Sequence, residues 1–380
     1  MQRIPKCILI ISVFLFLLLV ALFPEISIDA ASNGLMLFIE SVLPSILPFL
    51  IGTSILLQTG FVPIIGAILS PVFGFLFGCP GESGYVFLSA GLSGYPIGAK
   101  LSAELFDKGI LTRDEAQLTL YFTSITSPLF ISGVVAISLF NAPYLSGYLL
   151  FSHYIAAILT GVIMRIRFGK KKMVYSIRAE LKKALHNFRL KNNFFSKQTT
   201  IGNILKNAVT TSLITVATIC GFIILFNVLI NLLNHLGFFE TVSNILSPLL
   251  TKFSINPAVI KPLISGSIEM TVGVNMASKI SSKILMAYIS AFLLGFGGLS
   301  IIMQTYAFIS QYKLSAKNFI AAKFMQGCLS SLILAASLKV IPLTVTTSSL
   351  SANTPNVYQY LGLIFFLLCS TTLLAKLKKY

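Results

Sequence analysis

A single carboxylate, Glu269, sits inside the apolar stretch SIEMTVG with no Lys or Arg within a helical turn of sequence. A charge at the centre of an apolar phase costs about 3 kcal/mol or more unless it is paired or faces water. Glu269 is therefore expected to face a cavity or a basic partner, with Lys100 as the candidate. A buried structural ion pair meets the same requirement. Lys100 follows the run Gly94, Pro96, Gly98; it either neutralises an anionic ligand or snorkels to an interface beside Glu104. Glu40, Lys323 and Lys339 lie near the ends of apolar segments, where Glu40 reaches headgroup depth and the two lysines are expected to snorkel.

The uncharged chemistry lies at interruptions. Gly94, Pro96 and Gly98 break one apolar segment, Ser127–Pro128 a second, Gly266 and Gly273 a third, and Gly295, Gly297 and Gly298 a fourth. A broken helix leaves unpaired N–H groups with roughly half a positive charge at one half-helix N-terminus, and unpaired C=O groups at the facing end. Such ends bind ions and carboxylates. Ser93, Thr126, Ser127, Ser265, Thr271, Asn275 and Ser300 supply hydroxyls and an amide beside them, although each alone serves equally as helix–helix glue.

These residues must be positioned by lipid-spanning helices. Of 380 residues 56% are hydrophobic and 10% charged, and the mean hydropathy is +0.89, whereas a soluble domain carries about a quarter charged residues. Apolar runs of about 17 to 27 residues are long enough to cross a hydrocarbon core of about 30 Å. Twelve apolar segments follow, near 7–23, 34–59, 62–78, 84–101, 116–140, 143–164, 208–233, 238–251, 258–275, 284–310, 318–343 and 357–375, giving eight to twelve spans, because some are half-helices or re-entrant hairpins. Segment 7–23 lacks a convincing cleavage site and is expected to be an uncleaved first helix.

The net charge of +17 reflects topology and anionic lipid, not nucleic acid. Eleven Lys or Arg against the one acid Glu180 fill residues 165–197, which are expected on the cytoplasmic side with both basic termini. The five cysteines are scattered and form no disulfide framework or metal spacing. No P-loop, HExxH or GxSxG is present, His153, His186 and His235 are not clustered, and Ser265 with Glu269 lacks a suitable base. The expectation is a transporter and not an enzyme, without cofactor or metal.

The halves repeat at an offset of about 170 to 177 residues. ILSP recurs at 68–71 and 245–248; SGYPIGAKLSAEL (93–105) is matched by ISGSIEMTVGVNMASKI (264–280), and SITSPLFISG (124–133) by LGFGGLS (294–300). If 84–101 and 258–275 each cross, the first repeat starts outside and the second inside, which keeps the linker and both termini on one side. Inverted repeats follow, with Lys279 and Lys283 as the dissenting charges. The expected fold is an all-α polytopic membrane protein with two inverted repeats of interrupted or re-entrant helices. Its parts are an N-terminal helix and outside loop (1–33), a first repeat (34–142), a connecting helix (143–164), a basic cytoplasmic linker (165–204), a second repeat (205–312) and two C-terminal helices with a basic tail (313–380).

At SGYPIGAKLSAEL, SITSPLFISG, ISGSIEMTVG and LGFGGLS the chain resembles the YlbJ (SpoVV) type of sporulation integral membrane protein, a branch of the nucleoside-recognition or Gate domain superfamily, over about residues 5 to 375. That resemblance implies two Gate domains, a fold related to concentrative nucleoside transporters, placement in the outer forespore membrane, a role in spore cortex and maturation, and movement of dipicolinic acid towards the forespore. Its dianion matches carboxylates at half-helix N-termini with Lys100 as counter-charge, in a site at the repeat interface that includes Ser93, Gly94, Gly98, Ser127, Ser265, Gly266, Glu269, Thr271, Asn275, Gly297 and Gly298. Two other readings stay open: a scaffold acting through the basic linker, and a permease for a nucleoside or other small metabolite. The partners expected are a small anion and the bilayer, with self-association open.

Overall fold

The computed structural model describes residues 6–169, 173, 175–186, 200–252 and 256–340. Segment 357–375, the basic tail and residues 170–172, 174 and 187–199 of the basic linker lie outside the described residues. Among the described residues the chain forms helices and no strand.

Helix α1 (Lys6–Leu22) meets α2 (Pro24–Leu37) at Pro24, and this pair, taken as Ile10–Leu22 with Pro24–Glu40, is bent by 104°. A π turn, Phe38–Val42, leads into α3 (Leu43–Gln58), which is followed by α4 (Val62–Phe77). Ile46–Gln58 and Val62–Phe77 are bent by 97°. Next comes a broken pair, α5 (Glu82–Ser93) and α6 (Ile97–Asp107). A capping box of Thr112 and Glu115 starts α7 (Arg113–Thr123). After residues 124–127 the chain resumes as the π-helix Phe130–Leu139, and α8 (Leu145–Arg167) closes this half.

The second half runs through the same order. Long α9 (Ile201–His235) and α10 (Phe238–Lys252) precede a broken pair, α11 (Ile260–Ile268) and α12 (Met270–Ser278), interrupted at Glu269. A second pair, α13 (Lys283–Phe296) and α14 (Gly298–Ile309), is interrupted at Gly297, and α15 (Ala316–Val340) closes it. Among the described residues four helical stretches are long and apolar enough to cross a membrane, or six if each bent pair counts as one span. The number is below the eight to twelve read from the apolar runs because segments 84–101, 116–140 and 258–275 each contain a break and 357–375 lies outside the described residues. Side chains such as Ile10, Phe14, Ile28, Ile214 and Ile245 are more than half exposed, as lipid contact requires of apolar residues on a helix exterior.

Packing between the halves is reciprocal. The second half-helix of the first repeat's first pair, α6, packs on α14; its counterpart α12 packs on the π-helix Phe130–Leu139, the counterpart of α14. Likewise α13 packs on α8 and α7 on α15, while the closing helices α8 and α15 pack on each other. Glycines permit the close approaches. A Cβ on Gly295 would stand 2.7 Å from the Gly327 Cα, and one on Gly98 would collide with the Thr123 carbonyl. Gly98→Ala is accordingly expected to lower stability by about 1–3 kcal/mol or more by overpacking, read as an earlier thermal melt of the detergent-purified protein. Gly133→Ala, where a Cβ meets nothing within 4 Å, should melt as the parent does; equal melts for both variants would contradict this packing.

Candidate functional site

All four interruptions come together. In the first half Gly94 (φ +82°) lies against Ser127, with a Cβ placed at Gly94 only 3.0 Å from the Ser127 nitrogen. In the second, a Cβ on Gly298 (φ +77°) would lie 2.7 Å from the Gly266 oxygen and 3.2 Å from the Ile268 oxygen, which end the half-helix before Glu269. Between the halves, Tyr95 bridges the gap: its hydroxyl donates to the Leu294 carbonyl at 2.6 Å, and its ring lies 3.6 Å from a Cβ built on Gly297. Thr126 Oγ1 donates to the same carbonyl at 3.4 Å. Leu294 belongs to the last turn before the Gly297 break, so its oxygen has lost its helical donor.

Each break is finished by side chains. The Glu269 carboxylate caps α12, with Oε2 accepting from Val272 N at 2.9 Å and from Thr271 Oγ1. His153, on α8, accepts the Thr126 N–H through Nε2 at 2.9 Å. That bond assigns the ring proton of the neutral imidazole to Nδ1, a donor that is buried without a partner among the described residues. Lys323, on α15 and 0% exposed, reaches the remaining side of the same break. Its Nζ donates to the Ser124 carbonyl at 2.7 Å, to Gln326 Oε1 at 2.8 Å and to the Tyr95 hydroxyl at 3.1 Å, and it stands 4.8 Å from the centre of the Tyr95 ring. Three acceptors match the three N–H donors of an ammonium.

Most of the residues singled out in the sequence meet here. Ser93 and Ser265 are buried, and their hydroxyls have no partner among the described residues. Gly94, Gly98, Ser127, Gly266, Gly297 and Gly298 form the contacts at or beside the breaks. Asn275 lies on the exposed side of α12. Two expectations change. Glu269 and Lys100 do not pair: Lys100 binds Glu104, one turn along α6, at 3.1 Å, because a partner four residues away on the same helix is closer than one across the interface. Lys323 does not snorkel; Gly327 seats α15 against the Phe292 oxygen of α13, which brings the lysine to the breaks instead of to a rim.

Tyr95, His153 and Gln326 escaped the sequence reading. Tyr95 stands inside the Gly94–Pro96 break, a visible cue. Gln326 lies one turn after Lys323 and next to Gly327, a polar pair beside a small residue within an apolar run.

Apolar spans, a doubled order of broken helices and a polar centre where the breaks meet define a multi-pass helical integral membrane protein. The chain belongs to the Gate, or nucleoside recognition, family, whose description matches residues 39–164 and 216–313, one match in each half. It is 35% identical over 327 residues to the sporulation integral membrane protein YlbJ of Bacillus subtilis (strain 168), an alignment covering 84% of this chain and 79% of that protein.

Because the Glu269 side chain is an N-cap, Glu269→Ala should cost about 0.5–2 kcal/mol, while Glu269→Gln retains an acceptor for Val272 N and should cost less. Thermal melts of the two purified variants give the order; a Gln variant as unstable as the Ala variant would show that the charge, not the cap, holds this half-helix.

Proposed function

We propose that the chain is a secondary carrier or facilitator of a small anionic metabolite, most directly dipicolinic acid moved across the outer forespore membrane during sporulation for cortex formation and spore maturation. It acts without catalysing a reaction. The observation that carries the reading is the convergence of four helix interruptions, two from each half, on one buried polar centre. Discontinuous helices at a repeat interface present two chemistries a carrier needs in lipid, N–H ends for anionic groups and C=O ends for cations.

The reciprocal packing of α6 on α14 and of α12 on Phe130–Leu139 supports two halves related by a two-fold axis, since such an axis exchanges partners in this way. The charge bias of residues 165–197 and of both termini supports placing that axis in the membrane plane, which makes the repeats inverted, as in carriers whose halves rock about a fixed site. The likeness to a sporulation integral membrane protein supports the setting, and the Gate match supports a relation to nucleoside carriers without making nucleosides the cargo. Lys100, already paired with Glu104, is the weaker counter-charge.

Proteoliposomes containing the purified protein are expected to accumulate radiolabelled dipicolinate above empty vesicles, and Gly298→Val, which pushes a side chain into the Gly266 and Ile268 carbonyls, to abolish that uptake. Uptake indistinguishable from empty vesicles under every imposed ion gradient would remove the proposal.

A further inference from the structure

We infer that Lys323 is the carboxylate anchor of this site, a role that rests on the carrier reading above and gives it a specific recognition group. The ammonium is fully buried, yet its three acceptors, the Ser124 carbonyl, the Gln326 amide oxygen and the Tyr95 hydroxyl, are all uncharged. The sequence holds eleven side-chain carboxylates, every one of them among the described residues, and none pairs with Lys323: Glu104 is bound to Lys100, Glu240 to Lys261, and Glu269 caps its own helix. A buried charge without an opposite charge is unfavourable. An incoming anion supplies what the protein itself withholds.

The surroundings select the sign of that ligand. The amide nitrogen of Gln326 and the Nδ1 of His153 are buried donors with no acceptor among the described residues, and the Ser93 and Ser124 hydroxyls are likewise unpartnered. Gln326 offers its oxygen to Lys323, so its N–H groups are what remain for a ligand. A carboxylate brings two oxygens with about four lone-pair positions and accepts from the ammonium and from these donors together. A neutral or cationic ligand provides fewer acceptors and no compensation for the ammonium. Binding exchanges the Tyr95 hydroxyl, the longest of the three contacts, for a carboxylate oxygen, and leaves Tyr95 tied to Leu294 of the opposite half. The anion thereby touches the element that joins the two halves.

Binding to the full-length protein in nanodiscs tests this with pyridine-2,6-dicarboxylate, benzene-1,2-dicarboxylate and the uncharged pyridine-2,6-dicarboxamide. The parent protein is expected to bind at least one dicarboxylate at least tenfold more tightly than the dicarboxamide. Lys323→Gln should lose that tenfold preference while the affinity for the dicarboxamide stays unchanged, a split that a purely structural lysine would not produce. Gln326→Glu places an internal carboxylate on the ammonium; it should melt no lower than the parent and bind dicarboxylates at least tenfold more weakly. A parent protein that binds neither dicarboxylate, or does not distinguish them from the dicarboxamide, overturns the anchor, as does a folded Gln326→Glu or Lys323→Gln protein with parental dicarboxylate affinity. Lys323-dependent binding without uptake into vesicles would keep the anchor and remove the carrier.

Discussion

A helix interrupted within hydrocarbon leaves peptide groups that no solvent can satisfy, and the rest of this structure follows from meeting that demand. An unpaired backbone group in lipid costs several kcal/mol, so each of the four breaks is tolerated only where another part of the protein reaches it. The carbonyl of Gly91 accepts from Tyr154 at 2.8 Å, that of Leu294 from Tyr95 and that of Ser124 from Lys323. The N–H of Thr126 is taken by His153 and that of Val272 by Glu269. Most of these partners lie on a different helix from the group they serve. Breaks that depend on each other's neighbours must sit together, and convergence of the interruptions is a requirement of the solvent as much as of function.

The closing helices have corresponding duties. His153 lies eight residues after the start of α8 and Lys323 seven after the start of α15, and both are directed at the one break between α7 and Phe130–Leu139. One accepts its N–H and the other donates to its C=O. Close packing makes this reach possible, since Gly161 leaves room against Phe77 and Phe122 and Gly327 lets α15 approach α13 backbone to backbone. Where side chains are small, attraction between helices comes from contact and hydrogen bonds, because lipid offers no hydrophobic drive.

The interruptions were legible in the sequence because Gly and Pro act locally: Gly94, Ser127–Pro128 and Gly297 mark breaks by backbone preference alone. The doubled order of elements was legible for the same reason. Glu269 was legible as a special residue, since an isolated carboxylate in an apolar run has few explanations, but its partner was not, because capping by a glutamate at a break needs only its own next residues and resembles nothing in a charge pattern. Lys323 was misread through depth. A lysine a turn and a half into an apolar segment looks able to reach the interface, and only the glycine-mediated approach of α15 to α13 turns it inward. His153 carried no signal, as a lone histidine acquires meaning only from the peptide N–H that tertiary packing presents to it.

The two halves agree in outline and differ in charge, and that difference gives the centre its direction. The first half contributes a neutral break, with Tyr95, Ser124 and Thr126; the second contributes Glu269 and Lys323. Glu269 turns back on its own helix, where its carboxylate is held by Val272 N and Thr271, so its negative charge is matched to the positive end of α12. Lys323 extends across to the other half and finds only dipoles. Dipoles solvate an ammonium without cancelling it. The centre therefore holds one acid answered on its own helix and one base answered only by uncharged groups. Had the lysine met a carboxylate of its own, the same helices would pack as well or better, and the centre would have nothing left to exchange with a ligand.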